Sequence, residues 1–299
     1  MKRILIVGSG DVARRAIPWL VRRFKVFALA RQPDACASLR ALGAIPVVAD
    51  LDDRRELRRI AGISDAVLHF APPPGVGHRD TRTAHLLAAL ASRSSLPQRI
   101  VYISTTGVYG DCGGDWVDEA RPCRPSTARA RRRVDAERQL RGFGRRTRAR
   151  ISLLRAPGIY AADRLPLARL GRGDPVLVED EDVYTNHIHA EDLARLACMA
   201  LFRARPGRAY NAVDATDMKM GDYFDFAAQC FGYSRPVRMG RSQLREVLSP
   251  MALSFMSESR RISNRRILDE FRVRLRYPTV REGFAAAHGN GSGESGCCT

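Results

Sequence analysis

Short apolar runs alternate along this chain with Ala-, Leu- and Arg-rich stretches of helical period. Ile4-Leu5-Ile6-Val7 predicts a first strand and Asp11 to Arg23 a helix. Val26 to Ala30 predicts a second strand, with a helix from about Pro33 to Leu42. Ile45 to Val48 is a third strand before a short helix over Asp53 to Ile60, and Ala66 to Phe70 is a fourth. Pro72-Pro73-Pro74 makes a rigid turn, and a helix near Thr81 to Ala91 leads to a fifth strand, Arg99 to Ile103. Ile151 to Arg155 and Ala209 to Val213 supply two more. Apolar runs without polar alternation belong to strands covered on both faces, hence to a parallel sheet between helical layers. The expected architecture is α/β, a Rossmann-type doubly wound parallel sheet.

Two stretches break the rhythm, Leu165 to Val183 and the chain from Met218 onward. They are assigned to a smaller C-terminal substrate lobe. The dinucleotide-binding domain then takes residues 1–164 with 184–217, and the lobe takes 165–183 with 218–287. The Gly- and Ser-rich residues 288–299 read as a disordered tail. No apolar run reaches the roughly 18 residues needed to cross a bilayer. The run Ile4 to Val7 is too short for a signal-peptide core. Seven scattered cysteines show no metal-ligand spacing and suit reduced thiols, so a cytoplasmic protein is expected.

The formal charge of +18 raises a nucleic-acid reading. Lys occurs only at Lys2, Lys25 and Lys219, and Arg is spread over the whole length rather than gathered in one arm. Nucleic acid is therefore not the expected partner. The densest cluster, Arg129 to Arg133 with Arg138 and Arg141, is still an anion-attracting face.

Gly8-Ser9-Gly10-Asp11-Val12-Ala13 follows the first strand and opens a helix. Gly8 permits the tight turn, Gly10 lets backbone approach a pyrophosphate, and Ala13 allows close helix–strand packing. The second strand ends at Arg31, where an NAD enzyme would carry Asp or Glu for the ribose 2′-hydroxyl. A guanidinium suits the 2′-phosphate of NADP, so NADP is the expected cofactor and NAD the alternative. Asp50, ending the third strand, is placed to reach the adenine. Ala71, Ser104, Arg133 and Pro157 are further expected cofactor contacts, a role that only the resemblance set out next implies.

Four ordered motifs carry a family resemblance: Gly8 to Ala13, Ile103 to Gly110, Leu154 to Tyr160, and His187 to Ala194. On them the chain resembles the short-chain dehydrogenase/reductase superfamily in its extended, epimerase/dehydratase-like form. The stretch Ser259 to Arg266 with Tyr277-Pro278-Thr279 is similar to the end of bacterial relatives. The resemblance implies hydride transfer to or from a carbon bearing oxygen, on a small, anionic or sugar-nucleotide-type substrate. It places the family's active-site hydroxyl on Thr105, with Ser104 and Thr106 as neighbours. The family's Lys lies four residues before a Glu. Matching that Glu to Glu137 puts the Lys position at Arg133 and the Tyr position at Arg129.

In the family the Tyr moves the proton, while the Lys lowers its pKa and holds the nicotinamide ribose. Arg129 cannot shuttle a proton near neutrality, because a guanidinium stays charged to about pH 12. Three readings follow. Another residue is the acid, among Tyr109, Asp111, Tyr160, Tyr184 and His187; or the substrate needs no strong protein acid or is itself an anion gripped by Arg129; or the protein is a non-catalytic NADP-binding sensor. A basic nucleic-acid-binding protein stands third behind enzyme and sensor. Relatives often dimerise through the helix that here spans Ser126 to Leu140. Its arginines disfavour like-charged pairing, so a monomer or weak homodimer is expected.

Overall fold

A computed structural model describes residues 1–93 and 95–291. Its centre is a parallel sheet of seven strands. Five are β1 (Arg3–Val7), β2 (Lys25–Ala30), β3 (Ile45–Val48), β4 (Ala66–His69) and β5 (Arg99–Thr105). The strands Arg150–Ala156 and Ala209–Asn211 extend it beyond β5. Across the sheet the order is β3, β2, β1, β4, β5, Arg150–Ala156, Ala209–Asn211. The direction of winding reverses between β1 and β4, and a ligand crevice opens at such a switch point.

Alternation along β1 explains why both faces are apolar. Ile4 and Ile6 point into one core with α1 (Asp11–Leu20) and the helix Ala190–Arg203. Leu5 and Val7 point into the other, with α3 (Thr81–Leu90) and α4 (Ala128–Thr147). All four side chains are fully buried. α2 (Ala35–Ala41) covers the sheet between β2 and β3.

Some boundaries differ from the sequence reading. The helix expected over Asp53 to Ile60 is one 3₁₀ turn, Glu56–Ile60. α1 stops at Leu20, before Arg23. α4 runs past Leu140 because Phe143, one turn on, is buried against the sheet. Its start is set by Thr127, whose hydroxyl accepts from the Ala130 amide at 3.2 Å. The final helix, Val280–Gly291, extends into the stretch expected as a tail; residues 292–299, with Cys297 and Cys298, lie outside the described residues.

A third cluster joins Tyr160, Leu170 and Val176 to Met220, Phe224 and Phe284, so the two rhythm-breaking stretches share one core. Tyr160 presses on Gly283, where a Cβ would stand 2.4 Å from its ring. Ile267 and Phe271 behave differently and bury beside the helix Ala190–Arg203, so the chain from Met218 onward is divided between two cores.

One buried ion pair locks α4 onto the sheet. Arg155 donates through Nε and one terminal nitrogen to the two Glu137 oxygens, at 3.1 and 2.8 Å. Both side chains are 5% exposed. Burial works against the Arg155 charge, and the Glu137 hydrogen bonds overcome it, holding the guanidinium protonated well above its usual range. Ser104 also donates to Glu137, and Arg155 donates to the Tyr109 hydroxyl. Breaking such a pair strands a buried charge. Arg155→Met should therefore lose about 3–5 kcal/mol in urea denaturation. The double variant with Glu137→Leu should lose less than the two single losses combined; simple additivity would show that the two residues are not coupled.

Candidate active site

The C-terminal ends of β1, β4, β5 and the strand Arg150–Ala156 open into a cleft of about 630 Å³. Its first wall is the turn after β1. Gly8 has φ +89°, and a Cβ there would stand 2.4 Å from the Ala71 nitrogen, so the protein's own packing demands glycine. Gly10 is different: nothing lies within 4 Å of the Cβ it lacks. That open space faces the first turn of α1, whose cap residue Gly10 offers no side-chain acceptor. Free amides and the positive helix end suit a phosphate. The residues present therefore fit a dinucleotide pyrophosphate. Ser9 ties the turn to β2 by donating to the Leu29 carbonyl at 2.7 Å, and Asp11 holds Arg15 at 2.9 Å. Val12, Ala13, Ala71 and Pro157 also line the cleft.

Arg31 and Asp50 lie outside that lining. Ala30 pairs with Val48, so Arg31 and Asp50 leave the sheet on the same edge. Arg31 is exposed, and Asp50 accepts from the Asp52 amide at 3.0 Å. Asp52, the nearby carboxylate, is held by Arg82 at 2.6 Å, which lowers its pKa.

The second wall is β5 and α4. Thr105 is half-buried and its oxygen accepts from the Gly107 amide at 3.2 Å, which leaves the hydroxyl proton to donate. Ser104 lines the cleft, and its hydroxyl donates to the buried Glu137 carboxylate. Arg129, Arg133 and Glu137 are four residues apart and share one face of α4. Arg133 donates to the Tyr102 hydroxyl at 2.9 Å and the Ile103 carbonyl at 2.6 Å. Arg129 stacks on Phe255, 4.8 Å from the ring centre.

The structure corrects the catalytic expectation for Tyr109. It is 1% exposed, donates to Asn211 at 2.7 Å and accepts from Arg155 at 2.9 Å. Burial first, against the pull of Arg155, raises its pKa to about 12. Tyr109 braces the loop after β5 and is absent from the cleft lining. The other proton-donor candidates separate in the same way. Tyr160 donates to the Thr279 carbonyl, Asp111 accepts from the amides of Gly113 and Ser259, and His187 stacks 4.1 Å from Tyr223. Of the five, Tyr184 alone lines the cleft.

The third wall comes from the smaller lobe and was missed from sequence as part of the site. Phe255, Glu258 and Arg260 face α4 across the cleft. Glu258 accepts from Ser126 and, at 2.6 Å, from Arg260. Asn186 holds this segment through the Arg260 carbonyl and the Ile262 amide. The only signal available was the family-like stretch Ser259 to Arg266, which says nothing of where it folds. Among the described residues no cluster of His, Cys, Asp and Glu could hold a metal ion. Among them, too, no helix is long and apolar enough to cross a membrane.

A doubly wound sheet with a glycine turn at its switch point, a strand-end hydroxyl and a lobe over the cleft defines a dinucleotide-dependent oxidoreductase fold. The profile of the NAD dependent epimerase/dehydratase family matches residues 4–212, and the chain belongs to that family. Human dTDP-D-glucose 4,6-dehydratase is 23% identical over 240 residues, covering 70% of this chain and 68% of that protein. A functionally unknown conserved protein from Silicibacter pomeroyi has a solved structure that superposes with TM-score 0.82 at 31% identity, over 97% of this chain and 99% of that one. The dTDP-glucose 4,6-dehydratase of Streptomyces venezuelae, solved as a double mutant with NAD and DAU bound, shares the fold with TM-score 0.77 at 18% identity, over 99% and 98%.

Burial pushes His187 down to about 3 and His189 down to about 4, so both are neutral at pH 7. His189 serves as a cap, accepting from the Glu191 amide at 3.2 Å. An unfolded histidine titrates at about 6.5, so on acidification the unfolded chain binds protons first. Each buried histidine thus erodes stability as pH falls from about 6.5 towards its folded value. His187→Phe keeps a ring on Tyr223 and removes a buried nitrogen that lacks a partner. Its melting temperature should drop less between pH 7 and pH 5 than that of the native chain; an equal drop would mean that His187 is charged when folded.

Proposed function

We propose that the cleft binds NADP(H) and supports hydride transfer to or from a carbon bearing oxygen on a small anionic substrate. The observation that carries this is the open space at Gly10, in the same cleft as the Thr105 hydroxyl and the Arg129 guanidinium. The bound nicotinamide would supply the hydride. Thr105 would hydrogen-bond the reacting oxygen, using the proton that its own acceptor role leaves available. No Tyr lies between Tyr109 and Tyr160, and no Lys between Lys25 and Lys219, so a Tyr/Lys pair on α4 is not available. Tyr184, which lines the cleft, is the proton donor in this reading.

Arg31 supports NADP over NAD, since no carboxylate ends β2 and a neighbouring one, Asp52, is held by Arg82. By fluorescence titration NADPH should bind more tightly than NADH, and more so at low salt. Arg31→Ala should remove about tenfold of that preference, the scale of one charge-assisted contact. Equal dissociation constants in the native chain would rule out the NADP assignment.

Turnover tests the chemistry separately. NADPH oxidation across a panel of small carbonyl compounds should appear in the native chain and fall about 10²-fold or more in Thr105→Ala and in Tyr184→Phe. NADPH binding should be unchanged in both. One observation favours a second reading, a non-catalytic NADP-binding sensor: Arg133 is engaged by Tyr102 and Ile103. Tight NADPH binding with no oxidation of any compound in the panel would select it.

A further inference from the structure

The arginines that line the cleft have different standing. Arg133 is tied to Tyr102 and the Ile103 carbonyl. Arg260 donates to the Gly110 carbonyl at 2.8 Å and to Glu258 at 2.6 Å. Arg164 is 55% exposed and stands 3.9 Å from Asp11 at the rim. Arg129 is the exception. Among the described residues no acceptor lies within hydrogen-bond reach of its guanidinium, although the plane is held against Phe255. The nearby carboxylate, Glu258, has one oxygen engaged by Ser126 and the other by Arg260. Partial desolvation in the cleft and the charges of Arg133, Arg260 and Arg132 press the Arg129 pKa down, with Glu258 pulling the other way.

We propose that Arg129, stacked on Phe255, is a preformed receptor for the carboxylate of a small oxo or hydroxy acid. This rests on the redox reading above and names its substrate class. A guanidinium lying on an aromatic ring keeps its fork edge free and fixed, the geometry that grips a planar carboxylate with two parallel hydrogen bonds. Arg129 presents its whole fork uncommitted, which matches one planar carboxylate. Arg133 and Arg260 each serve their protein acceptors through a single terminal nitrogen, so a diphosphate is the competing ligand that the titration separates. The cleft must also admit the nicotinamide half of the cofactor, since the Gly8–Ala13 turn lines the same space of about 630 Å³. What remains suits a small acid.

The first turn of α4 packs on Gly107, two residues beyond Thr105, so the clamp stands on the wall that carries the reactive-site hydroxyl. In the reducing direction a bound nicotinamide would supply the hydride to the substrate carbonyl carbon while Arg129 holds the neighbouring carboxylate. The C=O π pair becomes an oxygen lone pair and takes a proton from Tyr184, which water reprotonates. An oxo acid, NADPH and a proton thus give a hydroxy acid and NADP⁺.

The test is calorimetric titration of the protein with NADP⁺, and of the NADP⁺-loaded protein with oxamate, inorganic phosphate and UDP. Oxamate should bind saturably and more tightly than phosphate. Arg129→Met, which keeps a long side chain over Phe255, should weaken oxamate about tenfold or more, and Arg129→Lys should fall between. NADP⁺ affinity should be the same in all three chains. Absent oxamate binding, or oxamate binding unchanged in Arg129→Met, overturns the clamp. UDP binding that depends on Arg129 more than oxamate does also overturns it, in favour of a nucleoside diphosphate. If the native chain fails to bind NADP⁺, the redox reading fails by itself. The oxamate titration of the three unloaded chains then decides the clamp separately.

Discussion

Glu137 and Arg155 meet in the narrow space between α4 and the sheet, where water is absent and neither charge can stand without the other. Their fork-to-fork pairing fixes the rotation of α4 about its own axis. Because Arg129 and Arg133 precede Glu137 by whole multiples of four residues, that rotation aims both at the cleft. The same two groups draw in Ser104 from β5 and the Tyr109 hydroxyl, and Tyr109 passes the connection to Asn211. Buried ion pairs contribute little net stability, because desolvation offsets their attraction. What this one supplies is register, between one helix, two strands and the turn that follows Thr105.

The cleft built on that frame separates what the fold requires from what a ligand requires. Gly8 is glycine because Ala71 leaves no room; Gly10 has nothing within 4 Å of the Cβ it lacks and lines the cleft. The arginines divide similarly. Much of the chain's positive charge serves its own backbone: Arg132 caps Gly77, Arg195 caps Arg274, Arg241 caps Met256 and Arg261 caps Gly114. These guanidinium groups close loop carbonyls that would otherwise lack donors. An Arg-rich composition is thus consistent with this fold without a polyanion as partner, and Arg129 has no such duty while its guanidinium lies over Phe255 inside the cleft.

The histidines show what a local pattern leaves open. His187 and His189 sit in a motif bordering the cleft, yet the backbone turns both rings into the aromatic core between Tyr160, Tyr223 and Tyr277. Desolvation there keeps them neutral. Tyr109 was misplaced for the same reason, as its one-residue position in a turn decided whether the phenol met Arg155 or the cleft. Phe255, Glu258 and Arg260 were not foreseen at all, because they reach Arg129 from more than a hundred residues away.

The sequence by itself determined whatever depends on neighbours along the chain. Apolar runs set the strands, the Gly8–Ala13 turn set the dinucleotide site, and the four-residue spacing before Glu137 put Arg129, Arg133 and Glu137 on one face of α4. These are local consequences of backbone geometry and side-chain period. Tertiary structure alone decided which polar groups remain available for chemistry. A hydroxyl, imidazole or guanidinium is free only if no distant segment brings it a partner. Ser104, Tyr109 and Arg133 found theirs in packing; Arg129, on Phe255, did not.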